Sequence, residues 1–185
     1  MSALVFCSCG DSADKSAASG SESATKAAQK TLKKADFGWA KCDVPEGYYS
    51  KSYYSGTQHY SIKKDGSNDY SKDKNEINLF LVEKSDDMQS FIDNELSHTG
   101  GAVQGDTVKM GNYTWCEVYD KDDDIRRFYA EADPTHVVGA TVLGGMTVKD
   151  TPVTTVLESL EVTDTSKYGE TESTEDDHLK VDPIG

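Results

Sequence analysis

The stretch that decides the fold runs from Thr107 to Leu143: T-V-K-M-G-N-Y-T-W-C-E-V-Y-D-K-D-D-D-I-R-R-F-Y-A-E-A-D-P-T-H-V-V-G-A-T-V-L. Four runs rich in Val, Tyr, Phe, Ile and Trp are separated by three short turn signals. The breaks fall at Gly111-Asn112, at the run Lys121 to Asp124, and at Asp133-Pro134-Thr135. Gly and Asn tolerate positive φ, and Pro fixes φ while removing a donor. Runs of this make-up joined this tightly predict an antiparallel meander.

Working outward, Ile77 to Val82 (I-N-L-F-L-V) is apolar on both alternating sets, Ile77, Leu79 and Leu81 on one and Phe80 and Val82 on the other. That predicts a strand in the middle of a sheet covered on both faces. Between it and the meander, Ser85 is the expected N-cap of a helix, with Asp86 and Asp87 in an acidic first turn. Met88, Phe91, Ile92 and Leu96 fall at helical spacing, and Gly100-Gly101 ends the segment. After the meander, Thr151-Pro152 reads as an N-cap with Pro at the first helical position, and Val153, Val156, Leu157 and Leu160 form one face. Upstream, Phe37 to Val44 alternates as a strand stopped by Pro45-Glu46-Gly47, and one or two Tyr-rich strands follow, broken at Ser55-Gly56. The order strands, helix, strands, helix predicts an α+β fold with an antiparallel sheet and helices against it.

The chain has 185 residues, enough for one domain and tails. Large apolar residues are sparse in 1–36 and 164–185. The expected layout is an apolar stub and disordered Ser/Ala/Lys tether over 1–36, a folded domain over 37–163 and an acidic disordered tail over 164–185. The formal net charge is −14. Affinity for nucleic acid comes largely from Lys and Arg on phosphates, so this balance argues against a nucleic-acid partner. No apolar run approaches the roughly 18–20 residues that span a bilayer.

The first residues, M-S-A-L-V-F-C-S-C-G-D, read as the end of a secretory signal, an apolar stub and then small residues and Cys. They resemble the lipobox of bacterial lipoproteins. Cys9, behind Ser8, is the expected lipidation site; Cys7, with Leu4 three residues before it but bulky Phe6 immediately before, is the alternative. The resemblance implies a protein anchored by lipid at the extracellular face of the cell membrane, with residues 10–36 as its tether.

Four short motifs, in this order, resemble the PsbP-like family, whose fold is also that of the nuclear-transport factor Mog. They are Pro45-Glu46-Gly47-Tyr48, Gly111-Asn112-Tyr113-Thr114-Trp115, Val137-Val138-Gly139-Ala140, and the closing Val156-Leu157-Glu158-Ser159-Leu160-Glu161-Val162. The resemblance covers roughly Phe37 to Val162. It implies an α-β-α sandwich around a central antiparallel sheet, and bacterial members are often secreted lipoproteins with no assigned activity. The Tyr-rich segment after Gly47 departs from the family pattern.

The histidines, His59, His98, His136 and His178, are scattered, and no metal-protease, P-loop, dinucleotide or nucleophile-elbow spacing is present. No catalytic residue and no cofactor is assigned. Cys42 and Cys116 both fall in predicted strands; they either pair as a disulfide or act as two small buried hydrophobes. Asp65, Ser67, Asp69, Asp73 and Glu76 imitate the oxygen spacing of a calcium loop, with Tyr70 where the sharp turn wants Gly, so they are a weak metal candidate. Asp120, Asp122, Asp124 and Glu131 repeat that spacing but read as a charged hairpin turn. Trp39, Tyr48, Tyr49, Tyr53 and Tyr54 crowd one stretch, where broad aromatic surfaces suit a protein or glycan ligand, or else pack under a helix. Two functions are thus carried forward. The first is a non-catalytic, surface-anchored lipoprotein acting as a binding or assembly module of the bacterial cell envelope. The second is an envelope hydrolase or a calcium-dependent binding protein.

Overall fold

The structure is a computed structural model and describes residues 31–53, 59–64 and 75–167; the side chains of residues 52, 53, 59, 60 and 167 lie outside that description. The Thr107–Leu143 stretch forms the meander its turn signals demand. Strands β6 (Ala102–Met110), β7 (Tyr113–Asp120), β8 (Ile125–Asp133) and β9 (His136–Val142) pair antiparallel in succession. Asp120 Oδ1 accepts the backbone N–H groups of Asp122 and Asp123, so the acidic run is a hairpin turn built around an aspartate. At the β6–β7 turn Gly111 takes φ +56, and a Cβ there would run into the Glu158 carbonyl oxygen. Only Gly fits that approach.

β3 (Tyr49–Tyr53), β4 (His59–Lys63) and β5 (Glu76–Glu83) complete the sheet, whose order is β3-β4-β5-β9-β8-β7-β6. β5 lies inside it, between β4 and β9, as its two-sided apolar pattern requires. A smaller sheet has β2 (Ala40–Val44) between β1 (Lys33–Asp36) and β10 (Glu161–Val162). The class is α+β with antiparallel sheets, as the element order predicts. β1 lies before Phe37, inside the stretch expected to be tether. The ordered body therefore starts earlier, with Lys33 to Asp36 folded back onto β2 across a Phe37–Trp39 turn in which Gly38 has φ +81.

Two α-helices lie among the described residues. α1 (Met88–His98) is capped by Asp87, whose Oδ1 accepts the Ser90 N–H at 2.9 Å. The expected cap, Ser85, stands two residues too early: its hydroxyl bonds the Asp86 carboxylate instead. α2 (Thr151–Ser159) starts at the predicted cap itself, one residue earlier than expected, with Asp150 as N-cap and Pro152 in the first turn.

The two faces of the large sheet pack differently. On one, Ile62, Ile77, Leu79, Leu81, Trp115 and Phe128 join Val153, Val156 and Leu157 of α2 and Trp39, Cys42 and Val44 of the smaller sheet. On the other, Phe80, Val118, Tyr129 and Val137 meet Ile92, Phe91 and Leu96 of α1. Tyr129 stacks edge-on against Phe80 and Phe91 and donates its hydroxyl to Glu95 at 2.5 Å, tying α1 to the sheet. Burial and that carboxylate together push the Tyr129 phenol well above its ordinary range.

Candidate functional site

The face that α1 covers changes character half-way along. Directly opposed residues of an antiparallel pair share a face. Lys51 opposes Ser61, Ser61 opposes Asn78, Asn78 opposes Thr141, and Thr141 opposes Arg127. Five neighbouring strands thus contribute one unbroken polar row on a single face. One position along the same strands, on the opposite face, the row is Ile62, Ile77 and Val142. The polar row reaches the α1 cluster only at Val118, which opposes Arg127.

Beside this row Lys63 opposes Glu76. Their side chains are 2% and 0% exposed, and Lys63 Nζ lies 3.3 Å from Glu76 Oε2. Neither Glu76 oxygen accepts a hydrogen bond from any described residue. Ser61 donates its hydroxyl to Asn78 Oδ1, and both residues are buried. Arg127, 24% exposed, has its Nη1 buried without an acceptor, 3.9 Å from Asp120 Oδ2. A buried polar atom left unmatched costs about 1–3 kcal/mol. Core packing supplies no reason to keep this row, and folds tolerate such losses mainly at functional positions. The row was not visible in the sequence, because its members come from five separate strands.

Of the described aromatics singled out in sequence, Trp39 and Tyr48 join the same core cluster, and Tyr49 stands on the other face of the sheet. Trp39 is fully buried among α2 and the smaller sheet and is therefore not a binding surface. Tyr48 is half-buried, and its hydroxyl meets Met146 Sδ at 3.7 Å. Tyr49 is 56% exposed and opposes Lys63, on the face of the polar row. The Tyr53 side chain and all of Tyr54 lie outside the described residues. So do Cys7, Cys9, Asp65, Ser67, Asp69, Asp73 and His178, while Glu76 is the ion-paired residue above. No group of three or more His, Cys, Asp or Glu that could hold a metal occurs among the described residues.

Cys42 and Cys116 are both free. The disulfide alternative is not realised, because Cys42 packs with α2 and Trp39 while Cys116 packs with the α1 cluster on the far face of the sheet. Burial pushes the Cys42 thiol up to about 12, so it is an inert core residue.

The one His–Asp pair of the described residues closes the β8–β9 turn. Asp133 Oδ1 accepts the backbone N–H groups of Thr135 (2.7 Å) and His136 (2.8 Å), and Oδ2 accepts the Thr165 hydroxyl at 2.5 Å. Partial burial raises the Asp133 carboxyl, but these bonds and the His136 ring outweigh it and hold it well below the carboxylate range. Both Asp133 and the Thr135 hydroxyl approach the same imidazole nitrogen, Nδ1. A catalytic relay needs the carboxylate on one ring nitrogen and the nucleophile on the other. The pair therefore reads as a turn lock.

No family model matches the chain, and no curated protein matches it. Among solved structures, a Bacteroides thetaiotaomicron VPI-5482 protein determined at 1.50 Å resembles it at 12% identity with a TM-score of 0.39. The match covers 69% of this chain and 46% of that one, so this chain spans less than half of that protein's length. A likeness that distant carries no argument about fold or activity.

Proposed function

We propose that this chain is a lipid-anchored, non-catalytic binding module of the bacterial cell envelope, and that its PsbP-like domain meets its ligand on the polar half of the sheet face. The observation that carries the binding part is the half-buried Thr141–Arg127 end of the cross-strand polar row, where Arg127 Nη1 lacks an acceptor, while Ser61 and Asn78 further along the row are buried. The PsbP-like part is supported by the order strands, helix, strands, helix and by a helix packed on each face of an antiparallel sheet. The anchoring part is supported by the apolar stub, the Cys behind Ser8 and the Ser/Ala/Lys run after it. A diacylglyceryl group supplies two chains, and each buried CH₂ contributes about 0.8 kcal/mol, so such an anchor holds without a spanning helix.

Two measurements test this. Full-length protein co-sediments with isolated envelope fragments, and Arg127→Gln/Thr141→Val, which strips the more accessible end of the row, loses that binding while keeping its melting temperature. Equal retention of both proteins would remove the sheet face as the ligand site. Mass spectrometry of the exported protein finds the diacylglyceryl mass on Cys9; free thiols at both Cys7 and Cys9 in a cytosolic fraction would end the anchoring reading.

A further inference from the structure

Resting on the reading that the chain is anchored through its N-terminal cysteine, we propose that the smaller sheet is a force-bearing clamp. It keeps the domain folded when the anchored end and the C-terminal end are pulled apart. The strand directions carry the argument. β1 and β10 flank β2, and both run antiparallel to it. β1 begins at Lys33, opposite Val44, and β10 ends at Val162, opposite Ala40. The chain therefore enters this sheet at one end of β2 and leaves it at the other. A pull on the two ends draws β1 and β10 along β2 in opposite senses. All the bonds between the strands then share the load and give together. A pull across the strands would break them one at a time.

The residues across the strands resist that slide. Lys34 reaches the directly opposed Asp43 at 2.7 Å, and Asp36 lies 3.2 Å from the directly opposed Lys41. Glu161 of β10 opposes the same Lys41 from the other side. A slip of β1 by one residue toward the anchor turns the buried Ala35 outward. A slip by two carries Asp36 from Lys41 to Asp43, and like charges directly opposite are destabilising. The ladder also continues past each strand. The Phe37 N–H donates to the Ala40 carbonyl at 2.9 Å. The Thr163 and Asp164 N–H groups both donate to the Trp39 carbonyl, at 2.7 and 3.2 Å. The Thr165 hydroxyl then ties the departing chain to Asp133.

Forced unfolding follows the unfolding barrier rather than equilibrium stability, so the test is mechanical. Optical tweezers pull full-length protein in two geometries. In the first, the handles sit at the two chain ends. In the second, they sit at the N-terminal end and at Glu46, in the turn after β2, so that β1 peels away from the Lys33–Val44 pair onward. The end-to-end pull is expected to need at least twofold more force and to release the folded body in one step. An equal or lower force end to end would overturn the proposal. So would an early weak step that frees only β1 or only the chain after Val162. The measurement needs no lipid. A chain with the expected forces and free thiols at Cys7 and Cys9 in the cell would keep the clamp and end the anchoring reading. A lipidated chain without the force difference would end the clamp and keep the anchor.

Discussion

Replacing Glu76 by Ala leaves the Lys63 ammonium, 2% exposed, without the carboxylate that lies 3.3 Å away. At that distance and an effective dielectric of about 20, the attraction is about 5 kcal/mol. Removing one member of a buried pair costs about 3–5 kcal/mol, because the remaining charge stays out of water. Glu76→Ala is therefore expected to lose about 4 kcal/mol, a large share of the 5–15 kcal/mol typical of a domain. In urea, with an m-value of about 2 kcal/mol/M, that moves the unfolding midpoint down by about 2 M. Glu76→Gln, which keeps the shape and loses the charge, is expected to fall between the two. Removing both charges tells whether the pair is needed for stability: Lys63→Met/Glu76→Leu is expected to be neutral or more stable by about 1–4 kcal/mol. A loss under about 1 kcal/mol for Glu76→Ala, or a double variant less stable than the single one, would refute the reasoning.

Trp115→Ala empties a fully buried site, removes a bond from Nε1 to the Met110 carbonyl and a stacked contact with Tyr113, and should cost about 3–5 kcal/mol by chemical denaturation. Gly111→Ala forces a side chain into positive φ against the Glu158 carbonyl and should cost more than about 1 kcal/mol; an unchanged midpoint would mean that the turn can move away from α2. Asp133 has a folded pKa below its unfolded value, so its contribution is complete above the unfolded carboxylate's pKa of about 3.9 and is lost as pH falls through the folded one. Asp133→Asn should therefore be less stable than wild type at pH 7, with the gap narrowing below about pH 4; a gap that widens in acid would show the sign to be wrong.

The meander was legible because each of its turns carries a residue that only a turn wants, Gly111, the aspartate run and Pro134, between runs of β-forming residues. Helix ends were less so, since several acidic and hydroxyl residues compete for each cap. Ser85, Asp86 and Asp87 are all good caps, and the one chosen is that which puts Phe91 and Ile92 on the sheet. β1 is not legible in the sequence because Lys33-Lys34-Ala35-Asp36 has one inward residue, Ala35, and no strand-forming ones. It is a strand because β2 offers it an edge, with Lys34 reaching Asp43 at 2.7 Å, and tertiary pairing outweighs weak local preference.

The candidate site fails to show in the sequence for a different reason. Ser61, Asn78, Thr141 and Arg127 are each unremarkable in their own strands, and Asn78 even sits inside the most apolar run of the chain. Side chains in a strand alternate, so one polar residue among apolar ones reads as a single outward position. It becomes a site only when the register of four strands aligns those positions, and register is set by pairings distant in sequence. A shift of one residue at β5 would send Asn78 into the α2 core and bring Ile77 onto the polar row. The apolar face thus enforces the alignment of the polar one. Burial of Ile62, Ile77 and Val142 against α2 fixes the register, and that register places Asn78, Thr141 and Arg127 side by side. A site built this way is as rigid as the core behind it, which is the property a preformed binding surface needs.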